Sequence, residues 1–171
     1  MDRCLNVIFI DESRRSVNTE LGRVLAYKGS KPIVRVNNLR REGVYVYCAL
    51  NTHSGEVFVR LMERANQYTT MSFLRSLKEH VGEGEIYIVW DNSAAHRSKY
   101  VYEQASREGM HHVYLPKYSP ELNIVEEVFR ELKAELSNKL FTNLNQLKEA
   151  IESFFKRRDY KFNVNVSRYL T

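Results

Sequence analysis

Two apolar runs in this chain end in the same way. Val7-Ile8-Phe9-Ile10 leads into Asp11, and Tyr87-Ile88-Val89-Trp90 leads into Asp91. The segments Cys4 to Ile10 and Glu85 to Trp90 are short and rich in β-branched or aromatic residues, so both read as buried strands ending at an aspartate. Aspartate is a poor strand residue, and a charge beside a buried strand is costly unless it is paired or bound to metal. The chain has only two other aspartates, Asp2 and Asp159. One such residue reads equally as a turn former or a helix cap. Two of the same kind suggest a shared site, because adjacent strands bring their ends together.

The rest of the chain supplies a frame for that site. Val44 to Leu50 and Val57 to Leu61 read as strands, joined through Asn51-Thr52-His53-Ser54-Gly55 into an antiparallel hairpin. Met71, Leu74, Leu77 and Val81 recur at helical spacing and predict a helix from Tyr68 to Val81, stopped by Gly82. A helix from about Ser98 to Glu108, closed by Gly109, precedes a short strand from His112 to Leu115. A long helix follows from Glu121 to about Leu140, then a last one from about Asn143 to Lys156. Residues 13 to 43, with Gly22, Gly29 and Pro32, read as an insertion of short strands and loops. The order predicts an α/β fold with a mixed five-stranded sheet flanked by helices. It resembles the order of the ribonuclease H-like fold.

A third acid should come from the long helix. Ser119 suits its N-cap and Pro120 its first position. Leu122, Val125, Phe129, Leu132 and Leu136 form its apolar stripe. Glu127 then points away from the stripe, while Glu126 lies on its flank, where a carboxylate can reach a sheet-edge site. Glu121, in the first turn, needs no more than a helix-dipole role. Three converging carboxylates suit hard divalent cations such as Mg²⁺. Such ions serve phosphoryl transfer without a protein nucleophile, and no Ser or Cys arrangement suggests one.

Composition narrows the class. The 171 residues suit one domain, and 43% are apolar. The net charge of +5 permits a nucleic-acid partner, although a solvated surface accounts for it equally well. No apolar run approaches the ~20 residues of a membrane span, and the N-terminus lacks a signal-peptide pattern. A cytoplasmic, nucleoid-associated protein without membrane contact is expected. Cys4 and Cys48 form no Cys-x-x-Cys and read as reduced core thiols. Phosphate-binding glycine motifs are absent.

At this point the residues carry a resemblance. Asp11, Asp91-Asn92 followed by His96, the block Leu115-Pro-Lys-Tyr-Ser-Pro-Glu-Leu-Asn123, and Glu126 together resemble the mariner-type DDE transposases of insertion sequences. Between Asp91 and Glu126 lie 34 residues, the D-D-34-E spacing of the prokaryotic branch. Arg23 to Pro32, with Lys28-Gly29, resembles a further family segment, and the likeness covers most of residues 5 to 135. It implies a ribonuclease H-like fold and two-metal catalysis with Mg²⁺, for which Mn²⁺ can substitute. It also implies cleavage and strand transfer at transposon ends, TA-type targets and a homodimer on DNA. Asp11, Asp91 and Glu126 would be the catalytic metal ligands. The family usually has Asn-Pro-Ile-Glu where this chain has Asn123-Ile124-Val125-Glu126, and tryptophan where it has Phe129. Leu25-Ala26-Tyr27 replaces the aromatic expected before Lys28-Gly29.

Ten residues precede Asp11, so residues 1–171 are expected to be a single catalytic domain without the family's N-terminal helix-turn-helix. A separate N-terminal portion would then bind the transposon ends. The chain reads as an excised domain, a frameshifted second reading frame or a truncated copy. Candidate DNA contacts are Lys117, His96, Arg14 and Arg15, with packing, capping or plain solvation as their alternatives. His111 and His112 read as structural or solvated. The basic, aromatic tail from Lys156 through Arg157, Arg158, Tyr160, Lys161 and Phe162 is a candidate surface for DNA or a partner subunit. Two other readings stand beside the transposase: a ribonuclease H-type nuclease, and an inactive or domesticated DNA-binding remnant.

Overall fold

In the computed structural model, which describes residues 5–38, 41–117 and 119–156, the first strand does not stop at Asp11. β1 (Leu5–Ser16) runs five residues past it. The sequence signal there is apolarity, and it ends at Ile10. The strand continues because β2 (Gly43–Asn51) pairs antiparallel with it from Ile8–Asn51 as far as Ser16–Gly43. The backbone ladder thus extends a segment whose side chains alone would not.

The order β3-β2-β1-β4-β5 makes a five-stranded mixed sheet, as the sequence predicts. β3 (Val57–Met62) completes the antiparallel hairpin with β2. β4 (Glu85–Trp90) lies parallel to β1, and β5 (Met110–Tyr114) parallel to β4. β5 begins two residues before the predicted His112. β1 and β4 pair only as far as Phe9–Val89, so both aspartates stand just beyond their shared ladder.

Helices cover both faces. α1 (Gln67–Val81) and α2 (Lys99–Arg107) bury Phe73, Leu74, Leu77, Val101 and Ala105 against Ile8, Ile10, Ile88 and Trp90. On the other face α3 (Val125–Leu136) and α4 (Leu144–Lys156) pack Val128, Phe129, Leu132 and Ile151 onto Val44, Val46, Cys48 and Leu50. Each large side chain so buried contributes roughly 1.5–3 kcal/mol. α1 opens with a full capping box between Asn66 and Thr69, and ends at Gly82 with φ 78°, a conformation that favours glycine.

The predicted long helix is broken at both ends. Pro120–Leu122 form a short 3-10 turn, and α3 begins only at Val125. Ser119 is therefore not its N-cap, and Leu122 is exposed while Val128 joins the buried stripe. The cause is Asn123, whose side chain accepts a hydrogen bond from the Val125 amide (3.2 Å) and donates to the Ile10 carbonyl (3.3 Å). At the far end Asn138 takes φ 61°, which stops the helix before Leu140.

The β1–β2 connection contains no helix or strand among its described residues, contrary to the short strands expected there. Leu25, Tyr27 and Ile33 are almost fully exposed on it. Cys48 is a buried free thiol; Cys4, Tyr118 and the tail from Arg157 onward lie outside the described residues. Among the described residues no helix is long and apolar enough to cross a membrane.

Candidate active site

Cross-strand pairing decides where the acids of β1 point. Asp11 pairs with Cys48, on the face covered by α3, and Glu12 pairs with Tyr47, on the face covered by α1 and α2. Neighbouring residues of one strand thus supply a carboxylate to each side of the sheet edge.

Asp91 follows the last residue of β4. Its Oδ1 accepts the Ser93 amide (3.0 Å) and lies 2.6 Å from His96 Nδ1. The other ring nitrogen of His96, Nε2, lies 2.7 and 3.0 Å from the two Glu12 oxygens. The imidazole stacks on Trp90 with ring centres 4.5 Å apart, and it is only 1% exposed. The next residue, Asn92, donates to the Leu115 carbonyl, and the Leu115 amide donates to Trp90 O at 2.9 Å. These bonds tie the end of β4 to the loop that carries Lys117.

Glu126 sits in the first turn of α3. Its amide bonds to Asn123 O at 3.0 Å, and Asn123 in turn holds the carbonyl of Ile10, the residue before Asp11. The helix start is therefore pinned to β1 beside the first aspartate. Asp11, Asp91 and Glu126 line one cavity of about 560 Å³, with Glu12, Arg97 and Lys117 also on its wall. Among the described residues, no three His, Cys, Asp or Glu side chains converge closely enough to form a finished metal cage. The three acids border the cavity without meeting at one point.

The electrostatics of the acids differ. Burial, then the charges of Glu12, Glu126 and Asp91, push Asp11 up to about 7, against one hydrogen bond from the Glu12 amide. The hydrogen bond from His96 is the main cause that brings Asp91 down to about 2, assisted by the Ser93 amide against partial burial. Burial opposes a charge on His96, but Asp91 and Glu12 on its two nitrogens outweigh it and hold the ring up at about 10.

The structure separates the sequence candidates. Asp11, Asp91 and Glu126 line the same cavity, and Lys117 stands exposed on its wall. His96 reaches the site, but its nitrogens are consumed and buried, so it has none to offer a phosphate. Arg15 is likewise withdrawn: it donates to the Phe129 carbonyl (3.3 Å), lies over the Phe129 ring and is 7% exposed. Arg14 is exposed but donates to Arg41 O and borders a neighbouring groove. Glu127 is half-buried beside Arg130 rather than in open solvent. His111 stacks on Tyr87, and His112 packs among Trp90, Tyr102 and Tyr114. Sequence reasoning missed Glu12, Asn123 and Arg97. A strand continued through Asp11 would have drawn attention to Glu12.

Comparison with known proteins comes to the same fold. Residues 6–148 match the family described as DDE superfamily endonuclease. The Mos1 transposase paired-end complex with left transposon end aligns at TM-score 0.72 and 16% identity, over 91% of this chain and 49% of that one. The Mos1 mariner paired end complex with Mn gives the same values. The catalytic domain of Mos1 mariner transposase aligns at TM-score 0.65 and 14% identity, over 91% of this chain and 72% of that one. This chain thus spans about half the length of the first two. At such identities the likeness establishes the ribonuclease H-like fold. No curated protein matches the chain by sequence.

Proposed function

This chain belongs to the DDE superfamily endonuclease family, and we propose that it is the catalytic domain of a transposase, cutting and joining DNA at transposon ends. The observation that carries this reading is one cavity lined by carboxylates from β1, the end of β4 and the first turn of α3. The donor set is all oxygen and fits Mg²⁺, with Mn²⁺ able to replace it. Burial, joined by the charges of Glu12, Glu126 and Asp91, holds Asp11 up at about 7, so a divalent cation would offset a charge that the site disfavours. Cations held by Asp11, Asp91 and Glu126 would activate an attacking oxygen and stabilise a leaving one at a phosphodiester. Lys117 and Arg97, exposed on the cavity wall, would steady nearby phosphates in this reading.

The D-D-34-E spacing supports a place among prokaryotic insertion-sequence transposases. In this reading residues 1–171 are one catalytic domain that works as a homodimer on DNA, with a separate N-terminal portion recognising the ends. The chain alone then binds DNA weakly, without sequence preference and with strong salt dependence. An end-specific, high-affinity complex formed by this chain alone would sink that part.

A ribonuclease H-type nuclease gains one observation, because Glu12 is a fourth acid at the cavity. Both its oxygens face His96, however, which suits a supporting role. Anomalous diffraction from Mn²⁺-soaked crystals, joined to a nicking assay on duplex DNA and on RNA–DNA hybrid, tests the choice. Cations on the three acids and nicking of DNA are expected. Ordered acids without Mn²⁺ overturn the metal reading, and a preference for hybrid favours the ribonuclease.

A further inference from the structure

We propose that Glu12 and His96 are positioning residues, a buried clamp that fixes the orientation of the Asp91 carboxylate at the cavity. The inference rests on the reading of Asp91 as a metal ligand.

The need for a clamp follows from the sheet. β1 and β4 stop pairing at Phe9–Val89, so past that point the backbone ladder no longer sets Asp91 against Asp11. The side chains take over. Glu12 extends from β1, directly after the first aspartate, and holds His96 Nε2 with both oxygens at 2.7 and 3.0 Å. His96 Nδ1 then reaches Asp91 Oδ1 at 2.6 Å. The bridge runs from one aspartate-bearing strand to the other.

The ring itself has little freedom. It lies flat on Trp90, 8° from parallel, its backbone carbonyl accepts from the Tyr114 hydroxyl at 3.2 Å, and it is 1% exposed. The His96 ring and the Ser93 amide both bond the Asp91 carboxylate at Oδ1, and the Ser93 side chain adds a further hydrogen bond to the carboxylate. In this proposal the oxygen that His96 does not bond is the one offered to a cation, and turning the carboxylate plane would weaken the bonds to Oδ1. Outer partners that orient a ligating group commonly change metal affinity or activity by roughly 10–100-fold.

The test uses the full chain, Mn²⁺ as the probe, and Glu12→Gln, His96→Gln, their double variant and Asp91→Asn. Mn²⁺ affinity is read by electron paramagnetic resonance, nicking rate by gel, and folding by thermal melts, all well below the melting temperature. Each single variant is expected to weaken Mn²⁺ binding by about 10-fold or more. The double variant is expected to lose scarcely more than either, because the two act as one unit. Asp91→Asn should remove the site altogether; if it binds Mn²⁺ like the wild type, the metal reading itself is wrong. If Asp91→Asn fails to bind while folded Glu12→Gln binds normally, the clamp alone is wrong. Should both clamp variants unfold, the wild-type Mn²⁺ crystal decides: a cation on the Asp91 oxygen that His96 does not bond supports the clamp, and one on the oxygen bonded to His96 overturns it.

Discussion

The two aspartates arrive on neighbouring parallel strands, yet the molecule holds them in opposite ways. Asp91 has a hydrogen-bonding ring and an amide on one oxygen, and stays ionised down to about 2. Asp11 is raised to about 7 by burial first, then by three neighbouring acids, against one hydrogen bond from the Glu12 amide. One wall of the cavity is finished in advance. The other is left unfavourable until a positive charge arrives.

The largest effect should be the one that the two walls share. Asp11→Asn and Asp91→Asn are both expected to lower DNA nicking by more than the ~100-fold typical of losing an outer partner. Their stabilities should move in opposite directions. Without metal, Asp11→Asn removes a repelled charge and should raise the melting temperature. Asp91→Asn weakens the charged bond to buried His96 and should lower the melting temperature. Parallel melts with EDTA measure this, and two shifts of the same sign would break the comparison.

A second effect sharpens it through pH. A carboxylate raised from 3.8 to about 7 makes the folded state bind an extra proton in that window. Its contribution to stability is present below 3.8 and lost as pH rises through 7. Mn²⁺ must displace that proton, so apparent affinity should rise about tenfold per pH unit up to 7 and then level off. Asp91 at about 2 and His96 at about 10 keep their charges throughout. One proton released per Mn²⁺ bound near pH 6 is the expected calorimetric result, and two would mean that both walls are unfinished.

The third effect concerns the side where α3 meets β1. Asn123→Ala removes the bond to Ile10 O and the cap on Val125. Leaving such a buried carbonyl unpaired costs about 1–3 kcal/mol. Mn²⁺ affinity should fall with it, because Glu126 loses its register against Asp11, while the His96 clamp stays intact. Unchanged Mn²⁺ affinity in a destabilised but folded variant would show that Glu126 is placed by other contacts.

The same contrast explains what the sequence could tell. The strand runs, the hairpin and α1 were legible because apolar periodicity and glycine stops are local signals. Asp11, Asp91 and Glu126 were nameable because unusual residues stood beside such signals, and the resemblance joined them. Glu12 was hidden because β1 continues on backbone pairing to β2, which leaves no apolar trace. The break before α3 was hidden too. Asn123 spends its side chain on a distant strand, and the sequence equally allowed a helix from Glu121. Arg15 read as a surface cation because nothing local shows that Phe129 and Glu20 will receive it.

The smallest effect separates exposed cations from withdrawn ones. Lys117 lies at the cavity, on a loop held to the end of β4 by Asn92 and Leu115. If it meets a phosphate, Lys117→Ala should weaken DNA binding by a modest factor and alike for all sequences. The slope of log affinity against log salt should become shallower by about 1. Arg15→Ala should leave that slope alone, since a guanidinium spent on Phe129 O and Glu20 releases no counterion from DNA. It should lower the melting temperature instead, because the buried side chain loses its packing over the Phe129 ring and its bond to the Phe129 carbonyl. A salt titration of the two variants, each at a temperature where it is folded, reads both effects together. Equal slopes for Lys117→Ala and the wild type would move the DNA path off this loop, toward the groove bordered by Arg14 and Arg41, and would leave the acids where they are.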